Sequence, residues 1–95
     1  MNFADRLLSA VEQKRSHVVV GLDPDYASMP PSLRAAHEAV DYADDVERVC
    51  ACFREFLVGL LDGLADVAVA VKPQLAFFEV LGHRGFRLYE DVVAM

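Results

Sequence analysis

Residues 17–22 read HVVVGL and residues 67–71 read VAVAV, and the fold class turns on these two runs. Both are apolar without alternation and rich in β-branched residues, the pattern of strands buried on both faces of a parallel sheet. The first stops abruptly at Asp23-Pro24-Asp25 and the second at Lys72-Pro73-Gln74. Between them lies the strongest helical pattern in the chain, with Val46, Val49, Cys50, Phe53, Leu57, Leu60 and Leu61 on one face. Asp41, Asp44 and Asp45 precede it, where carboxylates suit the positive end of a helix dipole, and Gly63 is a natural stop. Strand, crossover helix and second parallel strand make a βαβ unit, right-handed by the general rule.

Outward from this unit, Asn2 suits the cap of a first helix with Phe3, Leu7, Leu8 and Val11 at helical spacing, closing near Lys14 and Arg15. Tyr26 to Val40 holds Pro30-Pro31 and reads mainly as loop, with a short helix around Ser32 to Ala39. Beyond the second strand, Gln74 to His83 is apolar at its centre. Phe77 and Phe78 are expected to fill space between helix and sheet, with Glu79 solvated or paired locally. A last helical pattern is carried by Phe86, Tyr89, Val92 and Val93. The expected order is helix, strand, long helix, strand, helix. Two parallel strands leave bare edges and call for more strands, so the class is α/β and the unit is incomplete.

A chain of 95 residues allows one small domain at most, and 55% hydrophobic residues suggests surfaces covered by a partner or by further sequence. A net charge of −6 with no basic stripe argues against nucleic-acid and membrane-surface binding. No apolar run approaches the roughly 18 residues of a membrane span. The N-terminus is an amphipathic start rather than a basic-then-apolar leader, so cytoplasmic residence is expected. Cys50 and Cys52, two apart on a helix, point to different faces and suit neither a mutual disulfide nor a shared metal. Cys50 reads as core, whereas Cys52 falls off that face.

In a parallel sheet all strand carboxyl ends lie on one side, where barrel and doubly wound enzymes place their sites. Here each apolar run ends in one charged residue and a proline. On neighbouring strands about 4.8 Å apart, Asp23 and Lys72 would project into one cleft, able to pair directly or to clasp a polar ligand group. Each following proline holds its predecessor extended and fixes its aim. Either charge alone marks where burial stops; the matched positions favour a shared role. Other candidates are weaker. Asp41, Asp44 and Asp45 are accounted for by helix-start charge, and His17, His37 and His83 have no ligand spacing. There is no Gly-rich phosphate loop, no GxSxG and no His-x-x-x-His.

With these motifs in view, VVVGLDP (Val18 to Pro24) and AVKPQLAFFE (Ala70 to Glu79) resemble the first two strand-end motifs of orotidine 5′-phosphate decarboxylases. The likeness is to the bacterial subgroup whose second motif reads KPQ followed by an aromatic pair. The FADRLL helix and the G-x-x-G-x-x-x-x-E stretch (Gly82 to Glu90) fit the same pattern. The resemblance implies a (β/α)8 barrel, of which residues 1–95 would be the incomplete N-terminal βαβα part of a single domain, with a short helix ahead. It implies cofactor-free decarboxylation of orotidine 5′-monophosphate to uridine 5′-monophosphate in pyrimidine biosynthesis, and a homodimer at full length. By the same resemblance Asp23 binds the ribose hydroxyls. Lys72 hydrogen-bonds the ribose and joins the charged network beside the pyrimidine, without being the proton donor. The family's Asp-x-Lys-x-x-Asp signature, which holds that donor, is absent from these residues, so they are expected to show no turnover alone. The residues by themselves also admit a non-enzymatic βαβ module that dimerises or completes another sheet, and another βα-repeat enzyme of like geometry.

Overall fold

A computed structural model describes residues 2–95. The elements are α1 (Phe3–Lys14), β1 (Val18–Leu22), a 3-10 turn (Tyr26–Ser28), α2 (Pro31–Glu38), α3 (Asp45–Leu64), β2 (Ala68–Pro73), α4 (Ala76–Glu79) and α5 (His83–Ala94). β1 and β2 pair in parallel, with Val20 opposite Val71, Gly21 opposite Lys72 and Leu22 opposite Pro73, after an irregularity between Val18 and Val19. A helix followed by βαβα with parallel strands is an α/β arrangement consistent with the N-terminal portion of a (β/α)8 barrel.

β2 runs further than its apolar stretch. Lys72 and Pro73 both belong to the ladder, which is extended when the Gln74 amide donates to the Leu22 carbonyl at 3.0 Å. Alternate amides of a parallel strand face the same neighbour, so Pro73 stands where no donor toward β1 is needed.

The sheet is covered on one side only. Val20, Leu22 and Val71 pack on a core built from Phe53 and Leu57 of α3, Phe78 of α4, and Leu88 and Val92 of α5. Val19 falls on the opposite face and is 55% exposed. Double burial, which the uninterrupted runs predict, is therefore met on one face.

Local signals set the helix ends. The Asn2 side chain accepts the Asp5 amide at 2.9 Å, and Arg15 closes α1 in the left-handed region at φ 51. The Lys14 ammonium then donates to the Ala68 carbonyl at 2.9 Å, fastening α1 to the start of β2. Asp44 accepts the Glu47 amide at 2.9 Å while Glu47 accepts the Ala43 amide at 2.9 Å, a reciprocal arrangement close to a capping box. α3 continues one residue past Gly63. The region from Tyr26 to Val40 is more helical than its prolines suggest. Pro31 sits in the first turn of α2, where its missing amide leaves no bond unmade.

One expectation is corrected. Cys52, not Cys50, is the fully buried thiol, and Cys50 is half-buried. α3 is covered from two directions, by the sheet and α5 on one side and by α2 on the other, and Cys52 lies near Arg34 and Glu38 of α2. On α5 the core stripe is Gly85, Leu88 and Val92, with Tyr89 beside it, while Phe86 and Val93 are exposed. Phe78 is the fully buried member of the aromatic pair and meets Tyr89 edge-on at 5.5 Å; Phe77 is half-buried.

Three ion pairs bind α5 to the α3 region or brace it. One Arg84 nitrogen meets both Asp44 oxygens at 2.9 Å, and Arg54 and Arg87 share Asp91 at 2.5 and 3.4 Å. Asp44 is held below the ordinary carboxylate range, chiefly by the Glu47 amide and then by Arg84. Asp91 is held low chiefly by its hydrogen bond from Arg54. A carboxyl with a depressed folded value stabilises the fold above its unfolded value, 3.8 for both, and loses that contribution as pH falls through the lower folded value. The expected outcome of an acid titration followed by circular dichroism is a transition below pH 3.8 that flattens in the Asp44→Ala, Asp91→Ala double variant.

Gly85 lets α5 approach α4. A Cβ there would overlap the Phe78 carbonyl oxygen and lie 2.8 Å from the Leu81 Cβ, whereas a Cβ on Gly63 meets nothing within 4 Å. Gly85→Ala is expected to lower stability by about 1–3 kcal/mol. Gly63→Ala should raise it by about 0.5–1 kcal/mol, both read from thermal melts.

Candidate active site

The rim where β1 and β2 end is built by strand alternation. Leu22 points into the helical layer and is 1% exposed, so Asp23 turns to the bare face that also carries Gly21. Consistent with this, Asp23 Oδ1 lies 3.9 Å from where a Cβ on Gly21 would stand. Lys72 is the register partner of Gly21, and register partners in a sheet share a face. Asp23 and Lys72 therefore occupy the same bare face at the carboxyl ends of adjacent parallel strands, both exposed.

Of the two arrangements open to them, direct pairing is not adopted. No ion pair among the described residues joins Asp23 to Lys72. An unspent carboxylate beside an unspent ammonium presents acceptors and donors together, the complement of a polyhydroxylated ligand carrying both kinds of group. Pro24 is buried behind the rim. Asp25 is turned to local use, accepting the Ser28 hydroxyl at 3.0 Å across the 3-10 turn.

A cleft of about 240 Å³ lies between the end of β1 and α3, lined by Asp23, Met29, Phe56 and Leu60 among others; it is on the helix side of the sheet, and Lys72 does not line it. A larger one, about 630 Å³, lies by Lys14, Ala68 and Met95 and contains neither charge of the rim. Size does not mark the site here. The bare sheet face does, because it alone brings the acid and the amine together.

Several of the other titratable groups are engaged in the fold. Asp44 caps α3 and Asp45 pairs with Arg48 at 2.7 Å. His37 bridges the Tyr42 hydroxyl at 2.8 Å and Glu55 at 2.5 Å, while His17 and His83 are exposed. Among the described residues no group of His, Cys, Asp and Glu is placed to hold a metal ion. Burial pushes the thiols of Cys50 and Cys52 up, away from thiolate character. Among the described residues no helix is long and apolar enough to cross a membrane.

Sequence reading attached no role to Gly21, which the register sets directly opposite Lys72. The available signal was a glycine inside a β-branched run, which weakens a strand unless something approaches it.

Adjacent positions on β1 should behave oppositely. Leu22→Ala is expected to cost about 2–5 kcal/mol by emptying a core site. Asp23→Ala should leave the melting temperature unchanged, since its side chain carries none of the packing.

Comparison with curated proteins gives consistent matches along nearly the whole chain. It is 33% identical over 93 residues to an orotidine 5′-phosphate decarboxylase of Leptospira interrogans, covering 98% of the chain and 29% of that protein. It is 35% identical over 89 residues to a protein of the same name from Clostridium kluyveri, covering 94% of the chain and 27% of the relative. The corresponding protein of Rhodopirellula baltica is 33% identical over 96 residues, covering 99% and 30%. The chain thus spans about three-tenths of the length of these relatives. No family model and no solved structure matches it. The sequence resembles orotidine 5′-phosphate decarboxylases from end to end, as an N-terminal piece of such an enzyme does.

Proposed function

We propose that residues 1–95 are the N-terminal part of a single barrel domain that decarboxylates orotidine 5′-monophosphate to uridine 5′-monophosphate and carbon dioxide. In this reading Asp23 accepts hydrogen bonds from the ribose hydroxyls. Lys72 donates to the ribose and contributes its charge to the network beside the pyrimidine. The observation that carries the proposal is the register of Gly21 with Lys72, which sets Asp23 and Lys72 on one bare face at one end of the sheet.

The chemistry fits these groups. A carboxylate has lone pairs for two adjacent hydroxyls, and an ammonium has three donors to divide between sugar and neighbouring acids. Loss of carbon dioxide leaves an electron pair on the ring that a proton must meet. These residues hold no Asp-x-Lys-x-x-Asp motif to deliver it, so binding and charge placement are their share. The reaction is cofactor-free in this reading, the enzyme a cytoplasmic homodimer, and residues 1–95 alone are inactive.

The test is release of carbon dioxide from orotidine 5′-monophosphate by the full-length product of the gene. Activity is expected, with a kcat/KM loss of about 10-fold to 100-fold in Asp23→Ala and at least as much in Lys72→Ala, the range for hydrogen bonds to charged groups. A soluble, cooperatively melting oligomer with no decarboxylase activity would instead make the βαβ unit an interaction module.

A further inference from the structure

The geometry points to Gly21 as a specificity-determining position: its missing side chain is the space into which the sugar-phosphate ligand descends between Asp23 and Lys72. The inference rests on the function proposed above and adds a residue to the same site.

Gly21 lies within a five-residue strand whose other members are Val18, Val19, Val20 and Leu22. A glycine there weakens the strand, so its presence calls for a cause. Three ordinary causes are absent. The backbone does not require it, because Gly82 is the glycine with positive φ among the described residues. Packing within the chain does not require it either: a Cβ at Gly21 meets only Asp23 Oδ1, at 3.9 Å, an ordinary contact. Nor does the irregularity of the ladder, which falls earlier, between Val18 and Val19.

What remains is approach from outside the chain, on the face the residue shares with its neighbours of interest. Lys72 is directly across the ladder, and Asp23 stands two residues along the same face. A side chain at residue 21 would rise between the two charges; without one, a ligand held by both can settle against the strand backbone.

The experiment is a graded series in the full-length gene product, Gly21→Ala and Gly21→Val, measuring KM for orotidine 5′-monophosphate, Kd for uridine 5′-monophosphate and melting temperature. The expected result is a graded rise in both KM and Kd, reaching about tenfold or more for Gly21→Val, with the melting temperature held. Unchanged KM and Kd in Gly21→Val would overturn the inference while leaving the decarboxylase reading intact. So would a fall in melting temperature without a change in affinity, because the space would then belong to barrel packing. An inactive parent protein overturns the decarboxylase reading and this inference together.

Discussion

Parallel pairing of β1 with β2 is the constraint on which the rest depends. Parallel strands cannot be joined by a tight turn, so the chain must cross over, and α3 is that crossover. Once it lies on the sheet it takes Val20, Leu22 and Val71 out of water on one side. The other side is left to the residues that alternate with them. One arrangement therefore produces a packed layer and a bare face, and the bare face is where Asp23 and Lys72 stand.

Division of labour within β1 follows from the two-residue period of a strand. Leu22 serves the core at 1% exposure while its neighbours Gly21 and Asp23 serve the opposite surface. A shift of one residue in register would exchange these roles, sending the carboxylate into a hydrocarbon layer. The ladder bond from Gln74 to Leu22, close to the rim itself, helps resist such a slip.

The strands, the crossover helix and its acidic start were legible because each has a local cause. β-branched runs, a 3.6-residue stripe, and Asn2 or Asp44 beside unbonded amides act over a few residues. Cys52 was misread for the opposite reason. Whether a helix has a second covered side depends on distant segments: α2 buries Cys52, whereas nothing among the described residues covers Phe86 and Val93. The rim was legible as two charges at matched strand ends, but the place of Gly21 beside Lys72 needed the register, which the apolar runs leave open. The Arg84–Asp44 tie joins residues 40 positions apart, and no pattern of spacing announces it.

Lys14 has a consequence for how the chain comes off the ribosome. Its ammonium is satisfied by the carbonyl of Ala68, a residue made 54 positions later. At about 5–20 residues per second, Lys14 leaves the exit tunnel on the order of 3–10 s before Ala68 follows it. During that interval α1 is a 12-residue helix without its anchor, short enough to be marginal in water. Docking of α1 through Lys14 thus has to wait for the start of β2, so the first helix of the segment is not the first to be fastened.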